Sequence, residues 1–522
     1  MSNIDISSVM FEDQAFVKQK LSIFPYEIQK LLLKNYQAIK IRRDSNLFLL
    51  NFEEYMSQKL NIKPALMNLN HDEDSLREYA KDRAELCAKY SAISNNVNVN
   101  EICTNLVNYA KTYGISVNVN GKPHGIIKRL CDPLWWVRKL RRSLTRNIET
   151  VHHHLNEVNR IKGIYASDWL ASQRRNQLIR HERSMSSTML TNNLGESFSL
   201  KELSDKSVSN PKIRKAELMA RIRGFEDHSK TENHDALFLT VTCPSKYHRS
   251  FSKSGDENPK WGGYTPLDAQ KYLNNIWQRI RAKLDRENIR FYGFRVAEPN
   301  HDGTPHWHLL LFVNVNESKP LTEICKEYAL MEDPNEKGAQ EHRFTVKRID
   351  PNKGSATGYI AKYISKNIDG SDLDTGIYGE NPVTAAERVN AWASCWGIRQ
   401  FQQLGGPSVS VWREARRLKE HQTEQNKSLE ALRHSADTSN WQEFTKIMGG
   451  VFVKRKEQLA RPLYDFTIDT DTGELSQSYY DEEPTKSIKG ILVGRSKIIT
   501  RFLKWTKLAF RQKSQFNLEF CQ

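Results

Sequence analysis

The sequence predicts an α+β chain: a mainly helical region over residues 1–230, a central antiparallel β-sheet flanked by helices over 231–420, and a charged region over 421–522 ending in a basic arm. Three observations predict it. Apolar residues recur at three- and four-residue spacing around Phe24 to Leu50 and again from Leu134 to Leu155, the helical period. At Ala236 the texture changes to short β-rich runs. The runs that follow are linked by a hairpin signal and interrupted by helices in the order β-α-β-β-α-β-α, which suits an antiparallel sheet with helices packed on it. The chain has 522 residues, 78 Lys+Arg against 62 Asp+Glu and a formal net charge of +16, a length that allows about two to four domains. No stretch approaches the roughly 18 apolar residues of a membrane span, and the start MSNIDISSVMFEDQ lacks a secretory pattern. A location in the cytoplasm and no membrane partner are expected. Excess positive charge then points to a polyanion, nucleic acid first, because neutralising phosphates releases counterions. Seven scattered cysteines without a CxxC pair read as reduced thiols rather than a disulfide framework or zinc ribbon.

Within the first region, the segment from Lys128 to Arg142 is basic and aromatic. Pro133 suits the first turn of a helix that carries four cations between positions 138 and 142. Arg138 and Arg141 are candidates to lie along a phosphate backbone; the competing reading buries Trp135 and Trp136 and leaves the arginines solvated. His152, His153 and His154 are consecutive, so on a helix they diverge by about 100° and cannot share one metal. Leu237 to Thr242 reads as a strand stopped by Cys243-Pro244, and a polar loop follows from Ser245 to Gly263. Thr265-Pro266 caps a helix whose stripe is Leu273, Ile276, Trp277, Ile280 and Leu284. Strands over 290–298 and 306–315 flank the turn-rich segment 299–305. A helix over 321–330, a strand over 342–349 and a helix over 354–367 complete the region. From Pro484 to Leu518 the chain holds nine Lys/Arg and no acid, an expected basic arm or amphipathic helix for nucleic acid.

The chemistry-bearing residues lie in the middle region. His306 and His308 are two apart in a strand and project from one face, so two imidazoles can share an ion. Hairpin pairing sets Glu298 opposite His306 and adds a carboxylate; Asp302 in the loop is a rival ligand, and His301 reads as a solvated turn residue. Two His and one carboxylate leave open positions, which suits Mg²⁺ or Mn²⁺ better than a closed zinc site. Tyr359 and Tyr363 are four apart on a helix and emerge from one face, beside Ile360 and Ile364. The bland alternative is one apolar stripe. Lys362 and Lys366 repeat at the same spacing and are candidates to hold phosphate or favour a phenolate. Combined, these parts describe a metal that polarises a phosphodiester and a tyrosine that attacks phosphorus, its ordinary pKa of about 10 requiring help from metal or cation. A second tyrosine lets cleavage and rejoining alternate. Tyr247, Trp261 and Tyr264 are candidates to stack on unpaired bases, whereas Trp307 faces the opposite side of its strand and reads as core.

Three segments, Phe238 to Pro244, Arg295 to His308 and Tyr359-Ile360-Ala361-Lys362-Tyr363, resemble in order the three motifs of HUH endonucleases that start rolling-circle replication. The chain resembles most the replication gene A protein family of temperate tailed phages and prophages; Arg399 to Arg413 and the Trp135-Trp136 segment are also similar to it. The resemblance implies an HUH endonuclease core, histidine ligands at His306 and His308, and paired nucleophiles at Tyr359 and Tyr363. It further implies nicking of one strand of single-stranded or supercoiled origin DNA, a 5′-phosphotyrosine link, and a 3′-OH that primes a host DNA polymerase in the bacterial cytoplasm. No GxxxxGK[ST] loop occurs in the sequence, so unwinding is expected from a host helicase. Two alternatives remain at this stage: a transposase or plasmid relaxase of the same superfamily, and a non-enzymatic basic DNA-binding protein.

Overall fold

The computed structural model describes residues 4–60, 66–67, 73–93, 98–371, 374–376, 378–468, 475–481 and 483–508. Helices from Phe11–Ser22 to Pro133–His154 bury a shared apolar cluster that includes Leu32, Phe52, Leu106, Leu130 and Leu144. Trp135 and Trp136 belong to that cluster, and the Trp136 indole donates to the Leu130 carbonyl at 2.7 Å. The aromatic pair is therefore packing, and only the cations of the Pro133–His154 helix remain available for other work.

The fold is α+β, as the sequence predicts. Five strands form one sheet in the order Phe344–Arg348, His234–Val241, Pro305–Asn314, Phe291–Pro299, Phe401–Leu404, every neighbour antiparallel. Alternation along each strand divides the interior in two. Leu237, Leu239, Trp307, Leu309 and Leu311 enter one core with the helices Pro266–Arg286 and Pro382–Trp396. Phe238, Phe294, Val296, Leu310 and Phe312 enter the other, with the helices Pro211–Thr231 and Ala356–Ile368. The Pro266–Arg286 helix starts as its sequence dictates, with Thr265 and Asp268 in a reciprocal capping box and Pro266 in the first turn. Gly293 cannot be replaced without moving the sheet: it has φ of +148°, and a Cβ there would sit 1.9 Å from the Leu310 carbonyl oxygen.

Three regions differ from the sequence reading. Phe401–Leu404 is a fifth strand, paired with Gly293 to Val296; two glutamines hid its periodicity. The stretch after 420, expected as a charged region, contributes Leu429, Leu432, Trp441 and Phe444 to the same core as Phe225 and Ile360, so packing runs continuously across that boundary. The described part of the basic arm is neither loose nor helical. Lys486–Val493 pairs with Ala460–Phe466 and Ser496–Ile499, and Trp505–Lys507 pairs with Met189–Asn192. Its β-branched residues Ile488, Ile491, Val493, Ile498 and Ile499 favour the pleated sheet over a helix; Arg511 and Lys513 lie outside the described residues. Among the described residues no helix is long and apolar enough to cross a membrane, and the six described cysteines are free.

Candidate active site

The site begins with a tight turn. Asn300 N–H donates to the Thr304 carbonyl at 2.8 Å and Gly303 N–H to the Asn300 carbonyl at 2.9 Å, with Gly303 at φ +80°, the left-handed region that favours glycine. This turn sets the hairpin register, which pairs Glu298 with His306 and Val296 with His308. Period two then sends His306 and His308 to one face and Trp307 to the other. Trp307 is buried in the opposite core, with its indole donating to Gln270 at 3.2 Å.

On the histidine face, His306 Nε2 and His308 Nε2 are 3.0 Å apart, and Glu298 Oε2 lies 3.8 Å and 3.5 Å from them. These three side chains are the group of potential metal ligands found among the described residues, with all ligand atoms within 4.8 Å of one another. His308 Nδ1 lies 3.0 Å from the Thr240 hydroxyl, a partner that leaves Nε2 free to offer a lone pair. Burial would raise the Glu298 carboxyl, but the Lys366 ammonium first, then His308 and His306, hold it down to about 2. Burial, reinforced by His308 and opposed by Glu298, pushes His306 well below its ordinary value. The His306 imidazole is thus neutral beside an ionised carboxylate. At 3.0 Å the two facing Nε2 atoms leave room for at most one hydrogen between them, and the buried His306 Nδ1 finds no partner among the described residues. A divalent cation fits this donor set, and the residues to hold it are Glu298, His306 and His308.

Glu298 is itself positioned from the helix Ala356–Ile368. Lys366 Nζ is 3.4 Å from Glu298 Oε2, and the Asn367 amide donates to Oε1. Lys366 is 4% exposed and also lies over the Tyr165 ring at 4.8 Å. The expectation that it reaches phosphate is corrected: at the last turn of its helix it points inward and serves the carboxylate. Asn367 and Thr240, which sequence reasoning missed, carry no spacing signal, because their role depends on strand and helix being brought together.

Asp302 is not a competing ligand. Its carboxylate accepts from the N–H groups of Arg249 and Thr304 at 3.0 Å each and faces His248 Nδ1 at 3.1 Å. His301 is 3% exposed rather than solvated, because the turn is covered: Tyr165 N–H donates to the His301 carbonyl at 3.1 Å, and His153 Nε2 bonds the Asp302 carbonyl at 3.0 Å.

Ser355 caps the tyrosine helix by accepting from Gly358 N–H. Ile360 and Ile364 are buried in the sheet core, and Tyr359 and Tyr363 pack half-buried against its edge. Tyr363 lies 4.1 Å from the His308 ring, centroid to centroid. Phe238 is the shared floor, 4.6 Å from Tyr359, 5.3 Å from Tyr363 and 5.4 Å from His308. Burial, followed by Tyr359 and Glu298, raises the Tyr363 phenol above its ordinary value. Lys362 is exposed and stands over both rings, 5.1 Å from Tyr359 and 4.8 Å from Tyr363; Lys347 stands 4.5 Å from Tyr359.

The remaining expected binders lie elsewhere. Arg138 donates to the Tyr480 hydroxyl at 3.2 Å, and Arg141 pairs with Glu73 at 2.5 Å. Tyr247 is buried against Tyr264 and Tyr272, so it offers no stacking face. Trp261 donates to the Tyr264 carbonyl at 3.0 Å and lies beside Arg249 and His154.

The sequence is similar to those of known proteins. The model of the bacteriophage replication gene A protein matches residues 53–371. The replication gene A protein of Escherichia phage 186 is 41% identical over 391 residues, 73% of this chain and 55% of that protein. The replication protein of Haemophilus phage HP1 is 38% identical over 392 residues, 73% of this chain and 48% of that protein. A probable replication endonuclease from a prophage-like region of Salmonella paratyphi A is 33% identical over 404 residues, 74% of this chain and 49% of that protein. The chain therefore spans about half the length of the curated relatives it matches. No solved structure matches it. With the family model covering more than half of its residues, the chain belongs to the bacteriophage replication gene A protein family.

Proposed function

We propose that this protein initiates phage or prophage replication as a site-specific, metal-dependent HUH endonuclease, nicking and rejoining one DNA strand through tyrosine. The observation that carries the reading is the meeting of two elements: the Tyr363 ring packs at 4.1 Å on His308, whose Nε2 converges with His306 and Glu298. A non-enzymatic DNA-binding protein has no use for buried, mutually facing imidazoles, whose desolvation costs stability.

When bound, Mg²⁺ or Mn²⁺ supplies Lewis-acid polarisation of the scissile phosphodiester. The chain's own residues do the rest. A tyrosine Oη attacks phosphorus, the P–O3′ bond breaks, and the DNA 5′-phosphate becomes esterified to the phenol. The phenol proton leaves to solvent, and the departing 3′-oxygen takes up a proton to become a 3′-OH. Lys362, over both rings, favours the phenolate against the burial that opposes it. Tyr359, one helical turn away, attacks the regenerated junction while Tyr363 remains esterified, so strand exchange needs no release. The released 3′-OH primes a host DNA polymerase, with a host helicase opening the duplex. The names of the Salmonella relatives, probable replication endonucleases, support this reaction class.

The test is a denaturing gel with labelled origin DNA, single-stranded and supercoiled, in Mg²⁺, Mn²⁺ or chelator. A metal-dependent covalent adduct is expected, lost in Tyr359→Phe/Tyr363→Phe and in His306→Ala. Binding of a verified origin with no adduct under any metal overturns the enzyme and leaves the basic DNA-binding protein.

A further inference from the structure

Two recesses flank the Pro133–His154 helix and meet at Arg142. The larger, with a cavity volume of about 490 Å³, opens between this helix, the end of Arg42–Lys59 and the start of Pro266–Arg286. Lys59, Lys139, Arg142, Arg146 and Lys271 line it, against the single acid Asp268. The smaller, about 290 Å³, lies against the helices Asp168–Ser187 and Pro382–Trp396 and adds Arg138, Arg141, Arg174 and Arg180, against the single acid Glu73.

Lys139 and Arg146 are half-buried, whereas Lys59, Arg142 and Lys271 are exposed. Asp268 pairs with Lys271 at 3.2 Å and Glu73 with Arg141 at 2.5 Å. Among the described residues no carboxylate lies within 4 Å of Lys59, Lys139, Arg142 or Arg146. Burial first, and then Arg142, Arg138 and Arg146, push the Lys139 ammonium below its ordinary value. Burial also lowers Arg146, whose Nε donates to the Cys395 carbonyl at 2.7 Å and so holds the guanidinium in place. Crowding like charges in a recess costs stability unless an anion answers it. Tyr55, Trp261 and Trp396 supply aromatic wall. The recess also adjoins the catalytic hairpin, since His153, which lines it, bonds the Asp302 carbonyl of the hairpin turn.

We infer that the two recesses form one continuous track, centred on Lys139, Arg142 and Arg146, that grips the phosphates of a single DNA strand beside the nicking site. Volumes of this size are those of small-ligand pockets, which admit a strand's phosphates and sugars but not a duplex. A cationic groove with aromatic walls is the usual means of holding unpaired strands. The inference rests on the nicking reading only in naming DNA as the polyanion. It also shifts the centre of the contact from Arg138 and Arg141, whose partners are Tyr480 and Glu73, to the adjoining stripe of the same helix.

The test is fluorescence anisotropy with the full chain in chelator, so that no covalent capture occurs, using a labelled single-stranded oligonucleotide of mixed sequence and its duplex. Lys139→Gln/Arg142→Gln is expected to weaken single-strand binding about tenfold or more and to reduce the salt slope by about 1.4, roughly 0.7 per lost contact. Lys139→Arg/Arg142→Lys, which keeps the charges, is expected to retain parental affinity. The control Lys81→Gln/Lys456→Gln removes two exposed charges elsewhere and leaves both quantities near parental. Unchanged affinity and slope in the Gln pair overturn the inference; so does weakening confined to the duplex, or a charge-preserving pair as weak as the Gln pair. A missing adduct in the nicking assay with this contrast intact refutes the nuclease and leaves the track standing.

Discussion

The two faces of the central sheet come from the same alternating strands and are built to opposite ends. On one, Trp307, Leu309 and Leu311 close against helices in an apolar core. On the other, the equivalent positions one residue away hold His306 and His308, joined by Glu298, Lys366 and Asn367 in a buried polar cluster. Residues 306, 307 and 308 thus alternate chemistry, packing, chemistry. The difference teaches where the protein accepts cost: buried ionisable groups gather where a helix carrying tyrosines meets the sheet, and the opposite face supplies the stability that tolerates them.

The largest expected effect breaks the chemical face. Tyr359→Phe/Tyr363→Phe should abolish the covalent adduct, a loss of at least about 10³-fold, without altering the melting curve. Of the single changes, Tyr363→Phe should lose more of the first-turnover adduct, because its ring contacts His308; quantified single-turnover gels decide this.

A double dissociation separates the faces. Trp307→Ala should cost about 3–5 kcal/mol of stability in urea unfolding through the cavity it leaves. His308→Leu should abolish the adduct and cost about 1–3 kcal/mol, less than Trp307→Ala, since leucine fills the volume but leaves Glu298 and Thr240 without that partner. If His308→Leu unfolds the protein and Trp307→Ala does not, the assignment of the two faces is reversed.

Acid should act next, where the end of the Pro133–His154 helix meets the hairpin turn. Burial lowers His152 and His153 to about 4 each from an ordinary 6.5. Because the folded values are depressed, the folded state binds fewer protons than the unfolded: stability is intact above about pH 6.5 and falls as pH drops toward about 4, by roughly 2–3 kcal/mol per imidazole. Thermal melts across that window should show the decline, and His152→Gln should make it shallower. The smallest effect is Lys362→Gln, exposed and over both tyrosines: a severalfold slower adduct, about 1 kcal/mol in barrier, with stability unchanged.

How legible this was depended on whether the signal was local. The turn from Asn300 to Thr304 forced the hairpin register, so the meeting of Glu298 with His306 followed from spacing alone. The inward turn of Lys366 did not, because helical spacing fixes a face and not its depth against another element. The core after 420 was hidden because Trp441 and Phe444 stand alone among charges, and their burial comes from packing on distant Phe225 and Trp412. The final strands were obscured by cations interleaved with isoleucines, a pattern whose charge outweighed its β-branched content. Likewise, the cations of the Pro133–His154 helix were visible as a run, but which of them lacked acids depended on Glu73 and Asp268 arriving from other helices.

The most direct measurement of the central claim is mass spectrometry of the protease-digested adduct formed with origin DNA and Mn²⁺. The account predicts a 5′-phosphonucleotide on the peptide containing Tyr359 and Tyr363, absent in chelator and in His306→Ala. Modification mapped to any other residue, or formed equally without metal, would contradict it.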